Sequence, residues 1–366
     1  MKVLMLCPLM SSSSMITVNP AATAVSKRHD VKLVGPLLGG RPFIDMNGFN
    51  TEYLEPPIAK PMQFAMLSLG GRNRRRLMRG DYDVVHAFKL LPHTAPVAAA
   101  AKRKLGKKFV LSIDDYDAAA SSNPIKRMVL AKAEKAVKDA DAVIVSSTCL
   151  QKIYGGEVIY QVPDEEMFLK TKTNPQNVKR KLGIEGKTMV LYAGTFYRHK
   201  GIDVLIRAVQ SLEMDDIALV LAGDGGDEKR LRSIAGSETI FTGRLPMKNV
   251  AELTAACDIY AIPTLDTEYA RAEIPGKIFE PMMLGKPVVA SGLSDIPLIL
   301  GSGKCGMLVK PGDVTELAGA IENLADNPKL ATKLGSNAKK RYAANYCMKQ
   351  YEKKTLDVYR RLGGKP

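Results

Sequence analysis

Short runs of apolar residues alternate with helical segments along this chain, and the alternation occurs in two successive series. The apolar runs of the first series are 2–7, 31–35, 83–87, 108–113 and 142–146, with helical patterns over 95–105 and 131–139. Those of the second are 188–194, 217–222, 240–242, 259–263 and 287–291, with helical patterns over 317–324 and 330–342. Such alternation is typical of parallel sheets that helices cover on both faces. The sequence therefore predicts an α/β fold with two doubly wound parallel-sheet domains.

The polar and basic segment 163–186 separates the two series, and we interpret it as an interdomain connection. A length of 366 residues gives each domain enough chain for its own core. We predict one domain over 1–165, a second over 166–345, and an amphipathic C-terminal helix over 346–366 that packs back on the first. Open α/β sheets bind ligands beyond the carboxyl ends of their strands, so we expect the two domains to face a cleft.

Charge and composition narrow the classes of partner. Lys and Arg number 53 against 38 Asp and Glu, and this net charge of +15 favours nucleotides, nucleic acid or an acidic membrane surface. The lack of Trp and the 6% aromatic content disfavour nucleic acid, because stacking platforms are few. The five cysteines are far apart, which argues against a disulfide scaffold or a zinc module. Neither a signal peptide nor a membrane span is evident, and we expect a cytoplasmic protein.

The segment 273–291, EIPGKIFEPMMLGKPVVAS, carries the most chemistry. It predicts a loop, a helix that Gly285 ends, and a buried strand. Amides at a helix N-terminus bind phosphate or hydroxyl oxygens, and Lys277 and Ile278 stand there, with Glu280 placed to accept hydrogen bonds from ribose hydroxyls. The alternative is ordinary helix capping with a solvated Lys/Glu pair.

A second candidate segment is the loop that follows the strand 188–194. Gly194 ends the strand, Thr195 follows it directly, and Arg198 and Lys200 lie in the loop beyond. Two cations at the carboxyl end of a strand suit a pyrophosphate, whose charge they neutralise. The alternative is a basic turn solvated by water.

A third candidate is the glycine-rich turn 223–226. It lacks the pattern GxGxxG, because Glu228 occupies the place of the last glycine. Gly225 either lets the backbone approach a ligand or simply permits a tight turn.

Taken in order, these three segments resemble the retaining glycosyltransferases of the group 1 type, glycosyltransferase family 4. The similar tract covers about 189–313 and includes FTGRLP at 241–246 and GMLVKPGD at 306–313. The resemblance implies the GT-B architecture of two Rossmann-like domains, with a nucleotide-sugar bound mainly by the C-terminal one. It also implies transfer without a metal or other cofactor, ribose held by Glu280, and a diphosphate faced by Arg198 and Lys200.

Two departures from the family pattern concern the same site. Six residues separate Glu273 from Glu280, where the family usually has seven, and Glu273 is the candidate for the sugar hydroxyls. Thr195 stands where many members have an arginine, and Arg198 is the candidate to replace it.

The N-terminal half offers candidates for the acceptor side. Lys89 and His93 follow a strand end, and we expect both to face the cleft, with His93 binding a sugar hydroxyl; His86 reads as a core histidine. Asp114 and Asp115 end the next strand, and we assign them to orienting an acceptor hydroxyl. The acidic cluster 114–117 also contains a DxD pattern, Asp115-Tyr116-Asp117, which suits magnesium or manganese, but we assign no metal.

Between Glu55 and Asp81 the chain has no acidic residue. Apolar side chains interleave there with six basic ones, Lys60, Arg72, Arg74, Arg75, Arg76 and Arg79. The segment 57–80 is therefore a candidate for docking on an anionic membrane surface, and the acceptor would then be a lipid-linked saccharide or glycolipid. The alternative is a helix that packs on its domain and leaves a solvated arginine face.

The sequence thus predicts a hexosyltransferase-type enzyme that moves a sugar from a nucleoside-diphosphate sugar to a hydroxyl with retention, in the cytoplasm or on the inner face of a membrane. The alternatives are another GT-B nucleotide-sugar enzyme such as a 2-epimerase and a non-enzymatic anion-binding protein. A nicotinamide-dependent oxidoreductase is disfavoured, because no GxGxxG follows the first strand.

Overall fold

The computed structural model describes residues 1–55, 62–77, 80–117 and 123–363, without the side chains of 62–67 and 72. The chain divides into two compact units. Unit 1 comprises Met1–Gln161 and Met348–Pro366, and unit 2 comprises Val162–Cys347.

Unit 1 is built around a parallel sheet. Its elements are β1 (Lys2–Leu6), α1 (Met15–Ser26), β2 (Asp30–Pro36), β3 (Asn50–Leu54), α2 (Met62–Leu77), β4 (Val84–Phe88), α3 (Ala95–Leu105), β5 (Lys108–Ile113), α4 (Pro124–Glu134), β6 (Ala142–Val145), α5 (Thr148–Tyr154) and β7 (Glu157–Val158). The seven strands lie in the order β3-β2-β1-β4-β5-β6-β7. Strands β1, β4 and β5 are apolar at nearly every position because helices cover both faces of the sheet.

Unit 2 repeats this arrangement. Its elements are α6 (Glu165–Lys170), α7 (Pro175–Lys181), β8 (Thr188–Ala193), α8 (Ile202–Gln210), β9 (Ile217–Ala222), α9 (Glu228–Ile234), β10 (Thr239–Gly243), α10 (Met247–Ala256), β11 (Ile259–Ile262), α11 (Glu268–Ala272), α12 (Phe279–Leu284), β12 (Val288–Ser291), α13 (Ile296–Ile299), β13 (Met307–Val309), α14 (Val314–Asp326) and α15 (Pro328–Asn345). Six strands lie in the order β10-β9-β8-β11-β12-β13, and every described strand pair in both sheets is parallel. The predicted α/β class with two doubly wound sheets is confirmed.

The last helix, α16 (Met348–Arg361), belongs to unit 1 and packs on α1. Tyr351, Val358 and Tyr359 are buried on its inner face. Unit 1 is thus built from two separate stretches of the chain.

The segment 163–186, which we interpret as an interdomain connection, forms two short helices and lies within unit 2. Asp164 caps α6 by accepting the Met167 N–H at 3.0 Å, and Asn174 caps α7 in the same way. Phe168 and Ile184 are buried in unit 2. The polar composition arises because both helices are short: α6 buries Phe168, and the only residue that α7 buries is Lys179.

The helix predicted over 131–139 also differs. It begins earlier, at Pro124, because Asn123 accepts the Lys126 N–H at 3.0 Å and Pro124 stands in the first turn. After Glu134 it tightens into a 3-10 turn over Lys135–Asp139.

In each sheet the order of strands reverses beside one strand. Strand β1 lies between β2 and β4, and β8 lies between β9 and β11. Ligands of doubly wound folds bind at the carboxyl ends of the strands where such a reversal occurs. The loops after β8, β9 and β11 are therefore where a ligand of unit 2 is expected.

Candidate functional site

The loops after β8 and β9 pack directly against each other. A Cβ at Gly223 would lie 1.8 Å from the carbonyl oxygen of Gly194, and one at Gly225 would lie 2.4 Å from that of Phe196. The Phe196 N–H also donates to the carbonyl of Asp224 at 2.7 Å. In this conformation the glycine-rich turn permits close packing of two loops, and the space beside Gly225 is taken by the chain itself.

The basic loop after β8 forms a 3-10 turn over Arg198–Lys200 that Gly201 ends at φ +67°. A Cβ at Gly201 would lie 1.9 Å from the Pro263 carbonyl oxygen, so a glycine is required there. The turn is thereby held against the segment that follows β11. Thr195 and Arg198 are exposed on this loop.

Lys200 and Glu273, both predicted for the site, form an ion pair. The Lys200 Nζ lies 2.9 Å from each of the two carboxylate oxygens of Glu273. Their side chains are 15% and 19% exposed. In this structure Lys200, the cation expected to face a diphosphate, pairs with the carboxylate of Glu273.

Glu280 lies in the first turn of α12 and is buried. Its Oε2 has no hydrogen-bond partner among the described residues, and Lys277 Nζ lies 3.7 Å from its Oε1. Burial raises the pKa of Glu280, and the charge of Lys277 opposes this rise. A buried acceptor without a partner is costly, which suits an oxygen that binds a ligand hydroxyl.

Ile278, predicted beside Lys277, is fully buried. Its N–H donates to the Pro275 carbonyl at 2.9 Å and so is already used within the turn. This position serves the core of unit 2 in the described conformation.

His199 was missed by the sequence reasoning, although it lies between the two predicted cations. Its ring stacks on Tyr197, with the centroids 6.0 Å apart, and meets Tyr269 edge-on at 5.3 Å. Its Nε2 is buried, has no hydrogen-bond partner among the described residues, and lies 4.0 Å from Glu273 Oε2. Burial and the charge of Lys200 lower the pKa of His199 to about 4.

In unit 1 the structure brings together Lys89, Asp114 and Asp115, which we call the Lys89 cluster. The Lys89 Nζ lies 3.0 Å from Asp114 Oδ1 and also contacts Asp115. Thr17 Oγ1 donates to the other oxygen of Asp114 at 2.7 Å. Burial raises the pKa of Asp114. For Lys89 burial acts to lower the pKa, but the neighbouring carboxylates outweigh this effect and raise it overall. Throughout the described ranges, no three His, Cys, Asp or Glu side chains are grouped to hold a metal.

His93 is not open at the strand end, contrary to the expectation. It is fully buried, and its Nε2 lies 2.7 Å from the Pro8 carbonyl oxygen because the loop after β1 covers it. His86 is the buried core histidine that the sequence predicts: its ring nitrogens lie 2.8 Å from Tyr359 Oη and 2.8 Å from Ser112 Oγ.

Only part of the basic segment 57–80 can be placed. Residues 56–61 and 78–79 lie outside the described residues, as do the side chains of 62–67 and 72. In the remainder of α2, Leu69 and Leu77 are buried, whereas Arg74, Arg75 and Arg76 are exposed. No helix in the described part of the chain is long and apolar enough to cross a membrane.

Two family models match the chain. Residues 17–161 match the description "Glycosyl transferase 4-like domain", and residues 174–341 match "Glycosyl transferases group 1". The family resemblance predicted from the motifs is thereby confirmed.

Curated relatives agree with these matches. An α-D-kanosaminyltransferase of Streptomyces kanamyceticus is 24% identical over 56% of this chain and 53% of its own length. A phosphatidyl-myo-inositol mannosyltransferase of Mycobacterium leprae is 29% identical over 77% of this chain and 76% of its own. Against three of the relatives the chain spans only 39–60% of the relative's length.

Solved structures agree on the fold. The Anabaena protein HepE, in a complex with UDP and glucose, superposes with a TM-score of 0.78 and 18% identity over 99% of this chain and 100% of its own. At this identity the likeness shows the GT-B fold alone.

Proposed function

This chain belongs to the group 1 glycosyltransferases, and we propose that it transfers a sugar from a nucleoside-diphosphate sugar to an acceptor hydroxyl. The UDP and glucose bound by the structural neighbour HepE support a donor of this class. The transferase names of the curated relatives support the reaction type.

The observation that carries the proposal is the buried carboxylate of Glu280 at the start of α12. Its unpartnered Oε2 accepts hydrogen bonds from the ribose hydroxyls of the donor, and this bonding offsets the cost of burial. Lys277, whose Nζ lies 3.7 Å from the carboxylate, opposes the rise in the pKa of Glu280 that burial causes.

The cations of the loop after β8 take the diphosphate. Transfer leaves negative charge on the departing nucleoside diphosphate, and fixed cations beside it lower the barrier to departure. Arg198 is exposed, and Glu273 holds Lys200 in the same loop, so both cations stand on the loop that we assign to the leaving group.

We further propose that transfer retains the anomeric configuration, as the family resemblance implies. The anomeric coupling constant of the product, measured by NMR at early times, tests this. An α-linked product from an α-linked donor is expected, and a β-linked product would overturn it.

On the acceptor side, we assign the Lys89 cluster to the acceptor hydroxyl. The carboxylates of Asp114 and Asp115 accept its proton in a hydrogen bond, and Lys89 holds both in place. His93 can join only if the loop at Pro8 moves.

A lipid-linked saccharide or glycolipid at an anionic membrane surface is the acceptor class we favour. The exposed Arg74, Arg75 and Arg76 and the lipid in the name of the M. leprae relative support it. Cosedimentation should occur with vesicles that contain phosphatidylglycerol and not with phosphatidylcholine alone, and replacing the three arginines by serine should weaken it. Equal binding of both proteins to both vesicles would contradict the proposal.

The deciding experiment is a thermal-shift screen with UDP, GDP, ADP, CMP and NADH on the wild type, Glu280→Ala and Lys200→Ala. One nucleoside diphosphate should raise the melting temperature of the wild type and of neither variant. Stabilisation by NADH alone, or by none of these, would refute the donor site. Product analysis with the matching nucleotide-sugar separates a transferase, which releases the diphosphate and a glycosylated acceptor, from a 2-epimerase.

A further inference from the structure

Lys200 cannot serve a diphosphate fully while it is engaged by Glu273. Its Nζ contacts both carboxylate oxygens at 2.9 Å, and the pair is largely buried. If Lys200 turns towards an anionic ligand, Glu273 is left as a largely buried carboxylate without its cation. An ionised group left unpaired in such a place is costly, so the exchange needs a second partner for Glu273.

His199 is placed to be that partner. Its Nε2 is 4.0 Å from Glu273 Oε2, too far for a hydrogen bond while Lys200 is engaged. The same nitrogen is buried and has no other hydrogen-bond partner within the described residues. A shift of about 1 Å would bring the two atoms to hydrogen-bond distance.

The imidazole is also held in position for this contact. Tyr197 stacks on its face and Tyr269 meets it edge-on. The backbone carbonyl oxygen of His199 accepts the Leu265 N–H at 2.8 Å, and this bond ties the turn to the segment that leads to Glu273. The ring therefore needs only a small movement, whereas the long side chain of Lys200 supplies the large one.

We propose that His199 is a positioning residue for the donor: when a diphosphate draws Lys200 away from Glu273, the His199 Nε2–H takes over the hydrogen bond to the Glu273 carboxylate and keeps it in place. This inference rests on the proposed function of the site. Because the pKa of His199 is lowered to about 4, the ring is neutral near pH 7, and a neutral imidazole with its proton on Nε2 is sufficient as the donor.

The test compares dissociation constants of UDP, GDP and ADP, measured by calorimetry, for the wild type, His199→Phe and His199→Gln. Phenylalanine keeps the ring and removes the donor, whereas a glutamine amide restores an N–H near the position of Nε2. For the diphosphate that the wild type binds, we expect about tenfold weaker binding by His199→Phe and recovery of most of it by His199→Gln. The melting temperature of unliganded His199→Phe should not fall, since His199 does not contact Glu273 before the exchange.

A double-mutant cycle separates this role from a general loosening of the loop. In a Glu273→Gln background the buried charge is gone, so His199→Phe should have no further effect on affinity. Asp266→Asn is the matched control, because this carboxylate lies on the same segment but pairs with Arg271 at 2.6 Å. In that background the tenfold effect should persist.

Three results would overturn the inference: wild-type affinity in His199→Phe, the same loss in the Glu273→Gln background, or a loss that tracks a lower melting temperature of the unliganded protein. If none of the three nucleotides binds the wild type, the proposed function fails together with this inference. If one binds and the cycle is additive, only the role of His199 fails.

Discussion

The carboxylate of Glu280 shows at the scale of one residue how a site is maintained at the expense of stability. Its side chain is buried, one oxygen has no partner among the described residues, and the nearest cation is 3.7 Å away. A glutamine in the same volume would remove the buried charge. A residue that is unfavourable for the fold and well placed for a ligand is typical of a functional position.

Glu280→Gln is therefore expected to stabilise the unliganded protein by about 1 kcal/mol while weakening the binding of a nucleoside diphosphate. Thermal unfolding with and without the diphosphate measures both effects. Glu322→Gln, an exposed carboxylate on α14, is the control and should change neither. A lower melting temperature of unliganded Glu280→Gln would show that the carboxylate serves the fold.

Two buried histidines of unit 1 predict how stability depends on pH. Burial lowers the pKa of His86 to about 3 and that of His93 to about 4, whereas a histidine in the unfolded chain has a pKa of about 6.5. Between the folded and unfolded pKa values the unfolded state binds more protons than the folded state. These two histidines therefore lower the free energy of unfolding as the pH falls from about 6.5 towards 4. Each contributes a slope of up to about 1.4 kcal/mol per pH unit.

Urea unfolding from pH 7 to pH 4 of the wild type and His86→Gln isolates one of these groups. The variant is expected to be less stable than the wild type at pH 7. Its free energy of unfolding should also fall less steeply as the pH falls, because unfolding takes up about one proton fewer. The comparison also cancels Asp117, whose pKa burial raises to about 6 and which therefore acts in the opposite direction. Identical slopes would show that His86 is not the group that titrates.

At the scale of elements, the site depends on how closely α15 approaches the end of α12. Gly285 ends α12 with φ +72°, and a Cβ at Gly335 of α15 would lie 2.0 Å from the Gly285 carbonyl oxygen. Only a hydrogen at position 335 allows the two elements to touch. The helix that carries Glu280 is thereby supported from behind.

Gly335→Ala is expected to separate α15 from α12, to destabilise the protein by about 1–3 kcal/mol, and to weaken nucleotide binding through the displaced helix. Gly319→Ala is the matched control, because Gly319 is an exposed helical glycine of α14 with nothing within 4 Å of the added Cβ. It should stabilise by about 0.4–1 kcal/mol. Equal melting temperatures for the two variants would contradict the role of the contact.

At the scale of the molecule, unit 1 is completed by the last helix of the chain. Helix α16 packs on α1, and Tyr359 from it lies 2.8 Å from the Nδ1 of His86 in β4. Unit 2 is formed by one continuous stretch, Val162–Cys347. The two units therefore differ in their dependence on the C-terminus.

Deletion of 348–366 is expected to destabilise unit 1, because it exposes the apolar face of α1 and leaves His86 with one partner fewer. Unit 2 should still be stabilised by the nucleoside diphosphate. Differential scanning calorimetry should then resolve two unfolding transitions, a lower one of unit 1 and an upper one of unit 2, of which only the upper shifts with ligand. A chain that ends after Gly363 keeps helix α16 and is the control. A single transition that no longer responds to the ligand would show that unit 2 also requires the C-terminal helix.

What sequence alone determined is what local patterns encode: two series of buried strands, the end of α12 at Gly285, the basic loop, and the family itself. Period, glycine placement and motif order are properties of neighbouring residues. Tertiary structure decided the rest. The pairing of Lys200 with Glu273, the burial of His93 under Pro8 and the position of His199 beside Glu273 each join segments that the chain separates. Whether a polar side chain is paired, buried or open depends on what packs against it from elsewhere, and no local pattern carries that information.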